Sequence, residues 1–347
     1  LTDWMAGSSP AMEREGTALP SPAPRSCPPA VAKVEISRRI AQACHGNDDR
    51  KAPDPHPMKP HDNRAWLLML PAGAIMLTVG VVPLISVFNY SFHDIFTLQN
   101  LHWVGLDWYT ELIRSDRFWG SLGRSLLFSG IVLSVQLPLG IWIALVLTRT
   151  PRLHTPVLML LALPLVVPWN MIPIMWLDLI SKTGLVGSTL TSLAIPFDHR
   201  FNALHTWIVL VVMDTWHWLG LVVILSFAGL SGIPNDYYRA ASVDGASRLA
   251  VFRYIQLPKI SGILSIAVLL RFVDSFMIYT EAFRINAGGP NRATTFLTLD
   301  LGEEINSFTY GAAAARSMVY FLLVITAAWT FRTVMDRRKG ALQDINT

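Results

Sequence analysis

The sequence predicts an all-α integral membrane protein of six transmembrane helices with one helix-patterned cytoplasmic loop. Hydrophobic residues make up 52% of the 347-residue chain and charged residues only 15%, whereas about a quarter of a soluble globular chain is charged. Mean hydropathy is +0.40. Six apolar runs approach the roughly 20 residues that a bilayer crossing requires: Ala65 to Phe88, Ser125 to Thr148, Val157 to Leu179, Trp207 to Leu230, Ile263 to Tyr279 and Ala312 to Phe331. The fifth is the shortest.

Residues 1–64 have a different composition. They are rich in Pro, Ser, Ala and charge and lack apolar periodicity, so disorder is expected there. No signal-peptide-like apolar stretch occurs in them. Leu1 is an unusual first residue, and Met58-Lys59-Pro60 stands just ahead of the first span, so translation is expected to start near Met58. Both cysteines, Cys27 and Cys44, lie in this segment. The spans therefore have no disulfide or Cys-ligated metal available to them. Residues 65–335 form the expected membrane domain, and 336–347 a short cytoplasmic tail.

Loop charge sets the orientation. With the N-terminus cytoplasmic, the inner segments 149–156, 231–262 and 332–347 hold ten Lys/Arg against four Asp/Glu. The outer loops hold seven against nine, so the positive-inside bias places both termini in the cytoplasm. The net charge of +4 follows from this topology, and no nucleic-acid partner is inferred from it. Aromatic residues Trp103, Trp108, Tyr109, Phe118 and Trp119 mark the stretch from Asn89 to Arg124 as an amphipathic segment at the outer interface.

Residues 238–260 read as two short helices meeting near Gly245. Ala240, Ala241 and Ala246 favour helix, and Gly245, about 1 kcal/mol worse than Ala inside a helix, marks a bend. Val251, Phe252, Ile255 and Leu257 give the second helix an apolar stripe, and Pro258 closes it or starts the next span. With Asp244, these residues reproduce most of the spacing of the "EAA" loop and resemble permease subunits of binding-protein-dependent ABC importers, of the carbohydrate class that contains the maltose and glycerol-phosphate permeases. The family's leading Glu is Arg239 here. The run Arg-Phe-Val-Asp-Ser-Phe-Met-Ile-Tyr-Thr-Glu from 271 to 281 is similar to permeases for glycerol and other polyols. The resemblance implies an inner-membrane subunit that pairs with a second permease, expected to be non-identical, and with two cytoplasmic ATPases and a periplasmic solute-binding protein. It further implies that Ala240, Ala241, Asp244, Gly245, Ala246, Phe252, Ile255, Leu257 and Pro258 couple to the ATPase. It also makes the turn Gly288-Gly289-Pro290, followed by Thr294 and Thr295, a docking loop for the binding protein.

An acid at a helix centre costs roughly 2.5 to 3.5 kcal/mol on insertion scales and so calls for a partner or a wet path. Asn170, Asp214, Trp216, His217, Arg271, Asp274 and Tyr320 all fall near the expected midplane. Carboxylates, amides and aromatic faces suit a neutral polyhydroxylated solute. Two structural alternatives stay open: Arg271 and Asp274, one turn apart, can neutralise each other, and Asp214 can serve a buried His217. Pro164, Pro168 and Pro173 in the third run leave carbonyls unpaired, tolerable only against protein or a cavity.

No G-x-x-x-x-G-K-[ST] phosphate loop, H-E-x-x-H or G-x-S-x-G occurs, so the chain is not expected to act as an enzyme or to bind a cofactor. ATP and Mg belong to the partner subunits in this reading. A channel or secondary carrier independent of ATP is the competing class, but it calls for paired broken-helix repeats, and no such internal symmetry is visible.

Overall fold

The computed structural model describes residues 65–97 and 100–344. The chain divides into two units, Leu1–Leu70 and Pro71–Thr347. Of the first, only 65–70 are described, and they are helical. The expectations for residues 1–64, including Cys27, Cys44 and Met58, fall outside the described residues.

Helix α1 (Ala65–Met76) runs through a π turn (Leu77–Val81) into α2 (Val82–Tyr90). A β-hairpin follows, β1 (His93–Thr97) pairing antiparallel with β2 (Asn100–Trp103), His93 opposite Trp103. Next come α3 (Asp107–Arg114) and the long α4 (Asp116–Arg149). Then follow α5 (His154–Val166), α6 (Ile172–Ile180), α7 (Leu185–Ser192) and α8 (Ala203–Ser231). Helix α9 (Asn235–Val243), α10 (Arg248–Val251), a second π turn (Phe252–Gln256) and α11 (Leu257–Phe276) carry the loop and the fifth span. Helices α12 (Thr280–Asn286), α13 (Leu297–Asn306) and α14 (Tyr310–Asp344) complete the chain.

Five helices among the described residues are long and apolar enough to cross a membrane: Met69–Tyr90, Asp116–Arg149, Ala203–Ser231, Arg248–Asn286 and Tyr310–Met335. The expected continuous third span, Val157 to Leu179, is instead two helices, α5 and α6, separated by residues 167–171. Pro168 explains the interruption: it cannot donate to the carbonyl of Pro164, its ring crowds that carbonyl, and the residue before it is driven to extended backbone. Val167 is extended, at ψ 128°. Pro173, in turn, starts α6, where a missing N–H costs nothing. The fifth span, the shortest by hydropathy, is lengthened because the loop's second helix runs into it without a break, from Arg248 to Phe276.

Both π turns have one cause. Each precedes a Pro in the first turn of the next helix, Pro83 in α2 and Pro258 in α11. A π turn moves the bonding to i→i+5, with Val82 N–H donating to Leu77 O and Leu257 N–H to Phe252 O. This accommodates the proline without a kinked end.

Helix α8 is the hub. Its Gly140 neighbour on α4 approaches Val222 so closely that a Cβ there would overlap that side chain, and a Cβ on Gly220 would collide with the Leu161 carbonyl of α5. Small residues at such crossings let membrane helices meet backbone to backbone. The broken pair runs antiparallel along α8. His154 stacks on Phe227 with ring centroids 5.7 Å apart, and Trp176 meets Trp216 edge to face at 6.0 Å. Ile172 and Ile180 then join Val209, Leu210 and Met213 in the main apolar cluster.

The stretch after the first span adds a short β-hairpin to the otherwise helical fold. The hairpin packs Phe92 on Trp103 (5.5 Å), while Tyr109 and Trp108 of α3 donate to Ser91 Oγ (2.7 Å) and the His93 carbonyl (3.2 Å). Gly311 lets α14 approach the same carbonyl too closely for any side chain.

Candidate functional site

Asp214, Asp274 and Gln136 gather around one guanidinium. Arg271, fully buried on α11, donates from Nε to Gln136 Oε1 of α4 (2.9 Å) and from Nη2 to Asp214 Oδ2 of α8 (2.5 Å). Its Nη1 donates to Asp274, one turn along its own helix. Gln136 Nε2 donates to Asp214 Oδ2 (2.8 Å), and the Arg271 Cζ lies 4.7 Å over the ring of Trp218. One cation thus ties three helices together and answers two carboxylates. A water-free carboxylate at this depth demands such a partner.

The open side of this cluster is a cavity of about 70 Å³ lined by Trp169, Asp214, His217, Trp218, Asp274 and Glu281, with Tyr279 and Thr280. Asp274 is 29% exposed toward it, whereas Asp214 is 5% exposed. His217, 3% exposed, meets the Pro164 carbonyl and leaves Nδ1 without a hydrogen-bond partner. No cation pairs with Glu281 among the described residues. The lining is therefore rich in acceptors. Asp214 serves Arg271 and Gln136 rather than His217, which closes one of the two structural alternatives, while the Arg271–Asp274 pairing is present.

Three expected pathway residues lie elsewhere. Asn170 is exposed at the break between α5 and α6, where its neighbour Trp169 reaches the cavity. Trp216 faces Trp176. Tyr320 is buried among Leu112, Phe118, Phe276 and Leu297 and accepts from Arg316 Nη1 at 3.4 Å. Gln136, Trp169, Trp218 and Glu281 are the members that sequence reasoning missed. Glu281 had a signal, a carboxylate closing the run from 271 to 281, seven residues after Asp274.

Tyr320 belongs to a second network near the N-terminal ends of α4 and α14. Asp300 of α13, 1% exposed, accepts from Arg117 Nε (2.6 Å) and from Ser121, and lies 3.7 Å from Arg316. Glu303 and Glu304 pair with Arg117 and Arg316 respectively. Burial pushes the Glu304 carboxyl up, against the downward pull of Arg316. Ser125 Oγ, meanwhile, accepts the Leu297 N–H at the start of α13 (3.1 Å).

The Gly288-Gly289-Pro290 turn is held from within. Gly288 has φ +89° and is buried, its carbonyl accepting from Thr294 N–H (3.2 Å) and Thr295 Oγ1 (3.3 Å). Trp207 Nε1 and Arg124 Nε donate to the Ala293 and Thr295 carbonyls, at 3.0 and 2.8 Å. The exposed tip is Asn291-Arg292, both at positive φ. Gly288 thus shapes the loop, and Asn291 and Arg292 stand exposed at its tip.

At the opposite end, the loop 238–260 forms two helices meeting at Gly245. Gly245 (φ +66°) follows the C-cap Asp244 of α9, with Ala246 N–H donating to Ala241 O (2.9 Å) and Gly245 N–H to Ser242 O (3.3 Å), a Schellman stop. Ser247 Oγ caps the second helix through the Ala250 N–H (3.3 Å). Ala241 is buried and Ile255 packs on Ala144, Leu230, Ile233 and Ile260, so these hold the loop to the bundle. Ala240, Asp244, Gly245, Ala246 and Pro258 are exposed, and Phe252 and Leu257 are half-buried. The outward apolar groups are Val243 (87% exposed), Leu249 (74%) and Tyr254 (73%). Those three had no signal in the spacing. Among the described residues, no group of His, Cys, Asp and Glu is arranged to hold a metal ion.

Known proteins align with this architecture. The trehalose/maltose transport system permease MalF of Thermococcus litoralis is 28% identical over 264 residues, covering 75% of this chain and 90% of that protein. The diacetylchitobiose uptake permease DasB of Streptomyces coelicolor is 27% identical over 294 residues, covering 80% and 88%. A bacterial ABC transporter involved in the import of the acidic polysaccharide alginate contains a chain of the same fold, with TM-score 0.69 and 20% identity, covering 79% of this chain and 96% of that one. The model of the binding-protein-dependent transport system inner membrane component matches residues 136–341. With α4 to α14, the Arg271 cluster and the two-helix loop all inside or bordering that match, the chain belongs to this family of inner-membrane transport components, which are permease subunits and not enzymes.

Proposed function

We propose that this chain is one permease half of a carbohydrate-type ABC importer and that its solute is neutral and polyhydroxylated, a sugar or a polyol such as glycerol. The observation that carries the choice of solute is the acceptor-rich cavity. Arg271 is engaged by Asp214 and Asp274 and does not line the space, whereas Asp214, Asp274, Glu281 and His217 do, and the His217 Nδ1 is buried without a hydrogen-bond partner. A His ring that donates from Nε2 to the Pro164 carbonyl keeps an acceptor at Nδ1. Such a lining welcomes hydroxyl donors and repels an anion. Relatives named for trehalose/maltose and diacetylchitobiose support a sugar-like solute.

A cavity of about 70 Å³ is well below the ≈ 300 Å³ at which small-molecule sites begin. The remaining wall is supplied by a second permease subunit in this reading. A periplasmic binding protein delivers the solute near Asn291-Arg292, and two cytoplasmic ATPases engage Val243, Leu249 and Tyr254 around Gly245. The test is competition uptake by the reconstituted importer with glycerol, sugar alcohols, disaccharides and glycerol phosphate. Inhibition by neutral solutes is expected, and inhibition by the phosphate alone would overturn the choice.

A further inference from the structure

A second cavity lies away from the Arg271 cluster, at the ends of α4 and α8 that face the two-helix loop. It measures about 600 Å³. Its floor is apolar, from Leu147, Phe227 and Leu230, and its rim carries Arg149, His154 and Arg248 with the amide of Gln256. Among the described residues, no carboxylate lines it. Arg149 and Arg248 are both exposed, and among the described residues neither has an ion-pair partner. Two guanidinium groups at the rim of an apolar floor, with no carboxylate answering them, suit an amphiphile with an anionic head.

Depth argues for the source. Arg149 directly follows the apolar run Ser125 to Thr148 and Ser231 the run Trp207 to Leu230, so the rim lies where these crossing helices leave the hydrocarbon for the headgroups. Basic pockets between membrane helices at that level take anionic lipid headgroups. We propose that this cavity binds one anionic phospholipid, its phosphate between Arg149 and Arg248 and an acyl chain against Leu147, Phe227 and Leu230. Ala246, Arg248, Val251 and Gln256 all belong to the loop, whereas Arg149 and His154 belong to the span ends. A lipid held there links the loop to α4 and α5 and sets the loop's angle. The site is separate from the solute cavity and does not depend on which solute is carried.

The test uses the assembled importer in nanodiscs of phosphatidylcholine, with or without phosphatidylglycerol. Native mass spectrometry after detergent exchange reads retained lipid, and solute-stimulated ATP hydrolysis reads coupling. The wild-type complex is expected to retain phosphatidylglycerol and to gain several-fold in stimulation from it. Arg149→Gln/Arg248→Gln should lose both, while Arg239→Gln, an equally exposed base of the same loop outside the cavity, should keep both. Equal loss in Arg239→Gln would reduce the effect to general surface charge and overturn the site. Inorganic phosphate that restores stimulation in pure phosphatidylcholine would make it a free-anion site, against the proposal. Dissociation of the ATPase from the double variant with lipid still retained would assign the arginines to the ATPase interface, with the same result.

Discussion

Arg271 is the residue on which most of the interior depends. Its burial is complete, and each of its three guanidinium nitrogens donates, Nε to Gln136, Nη1 to Asp274 and Nη2 to Asp214. Removing one partner of a buried pair costs roughly 3–5 kcal/mol because the other charge is left uncompensated. Arg271→Leu should therefore lower the thermal midpoint of the purified complex sharply, and Arg271→Leu/Asp214→Asn should regain a substantial part of the loss. Equal destabilisation of the single and double variants would show that packing against Trp218, not charge, holds the site. Asp274→Asn should cost less stability, since Asp274 is partly solvated, and should instead weaken uptake, a charge-assisted bond to a hydroxyl being worth about 1.5–3 kcal/mol. The sequence displayed Asp214, Arg271 and Asp274 as costly residues needing partners. It could not display Gln136, because a neutral amide 135 residues from Arg271 carries no hydropathy penalty large enough to stand out. Nor could it separate Trp169 from Asn170, since a Pro-broken segment does not preserve helical phase.

At the scale of elements, the two-helix loop was readable because its helices end by rules local in sequence: a glycine at positive φ, a Ser cap and an apolar stripe. The hairpin at His93–Trp103 was not, since two short strands on the surface of a helical bundle owe their pairing to α3 and α14 rather than to their own length. Gly245 allows strain and docking to be separated. No atom lies within 4 Å of where its Cβ would stand, and Asn tolerates left-handed backbone. Gly245→Asn should thus leave expression and thermal stability near wild type, while solute-stimulated ATP hydrolysis falls about tenfold if a partner closes on that spot. Unchanged stimulation would move the contact away from the loop's bend. Val243→Ser and Leu249→Ser, which remove the outward apolar groups without touching the Ile255 anchor, should weaken ATPase co-purification, and retention of the ATPase by both would leave the apolar faces without a role in docking.

For the whole molecule, the broken third span decides the topology. Five crossings would put the N- and C-terminal sides on opposite faces of the membrane, and six would return them to one. At 1.5 Å per residue, the 13 residues of α5 and the 9 of α6 reach about 33 Å if they act in series, enough for a hydrocarbon core of about 30 Å. Their packing places them in series: His154 lies by Phe227, Leu161 by Gly220, Trp176 by Trp216, and Ile180 in the cluster of Val209 and Leu210, a steady antiparallel descent along α8. A re-entrant pair would instead fold back and meet the same part of α8 twice. The loops 149–156 and 193–202 are therefore expected on opposite faces, with the loop at Gly245 and the tip at Asn291 likewise opposed. Only Cys27 and Cys44 need replacing to obtain a cysteine-free background. In it, single cysteines at Thr155, Ala194, Val243 and Asn291 can be probed with an impermeant maleimide on intact and permeabilised cells. Ala194 and Asn291 should label from outside, and Thr155 and Val243 only after permeabilisation. Labelling of Thr155 and Ala194 from the same side would make the pair re-entrant and separate the two termini across the membrane.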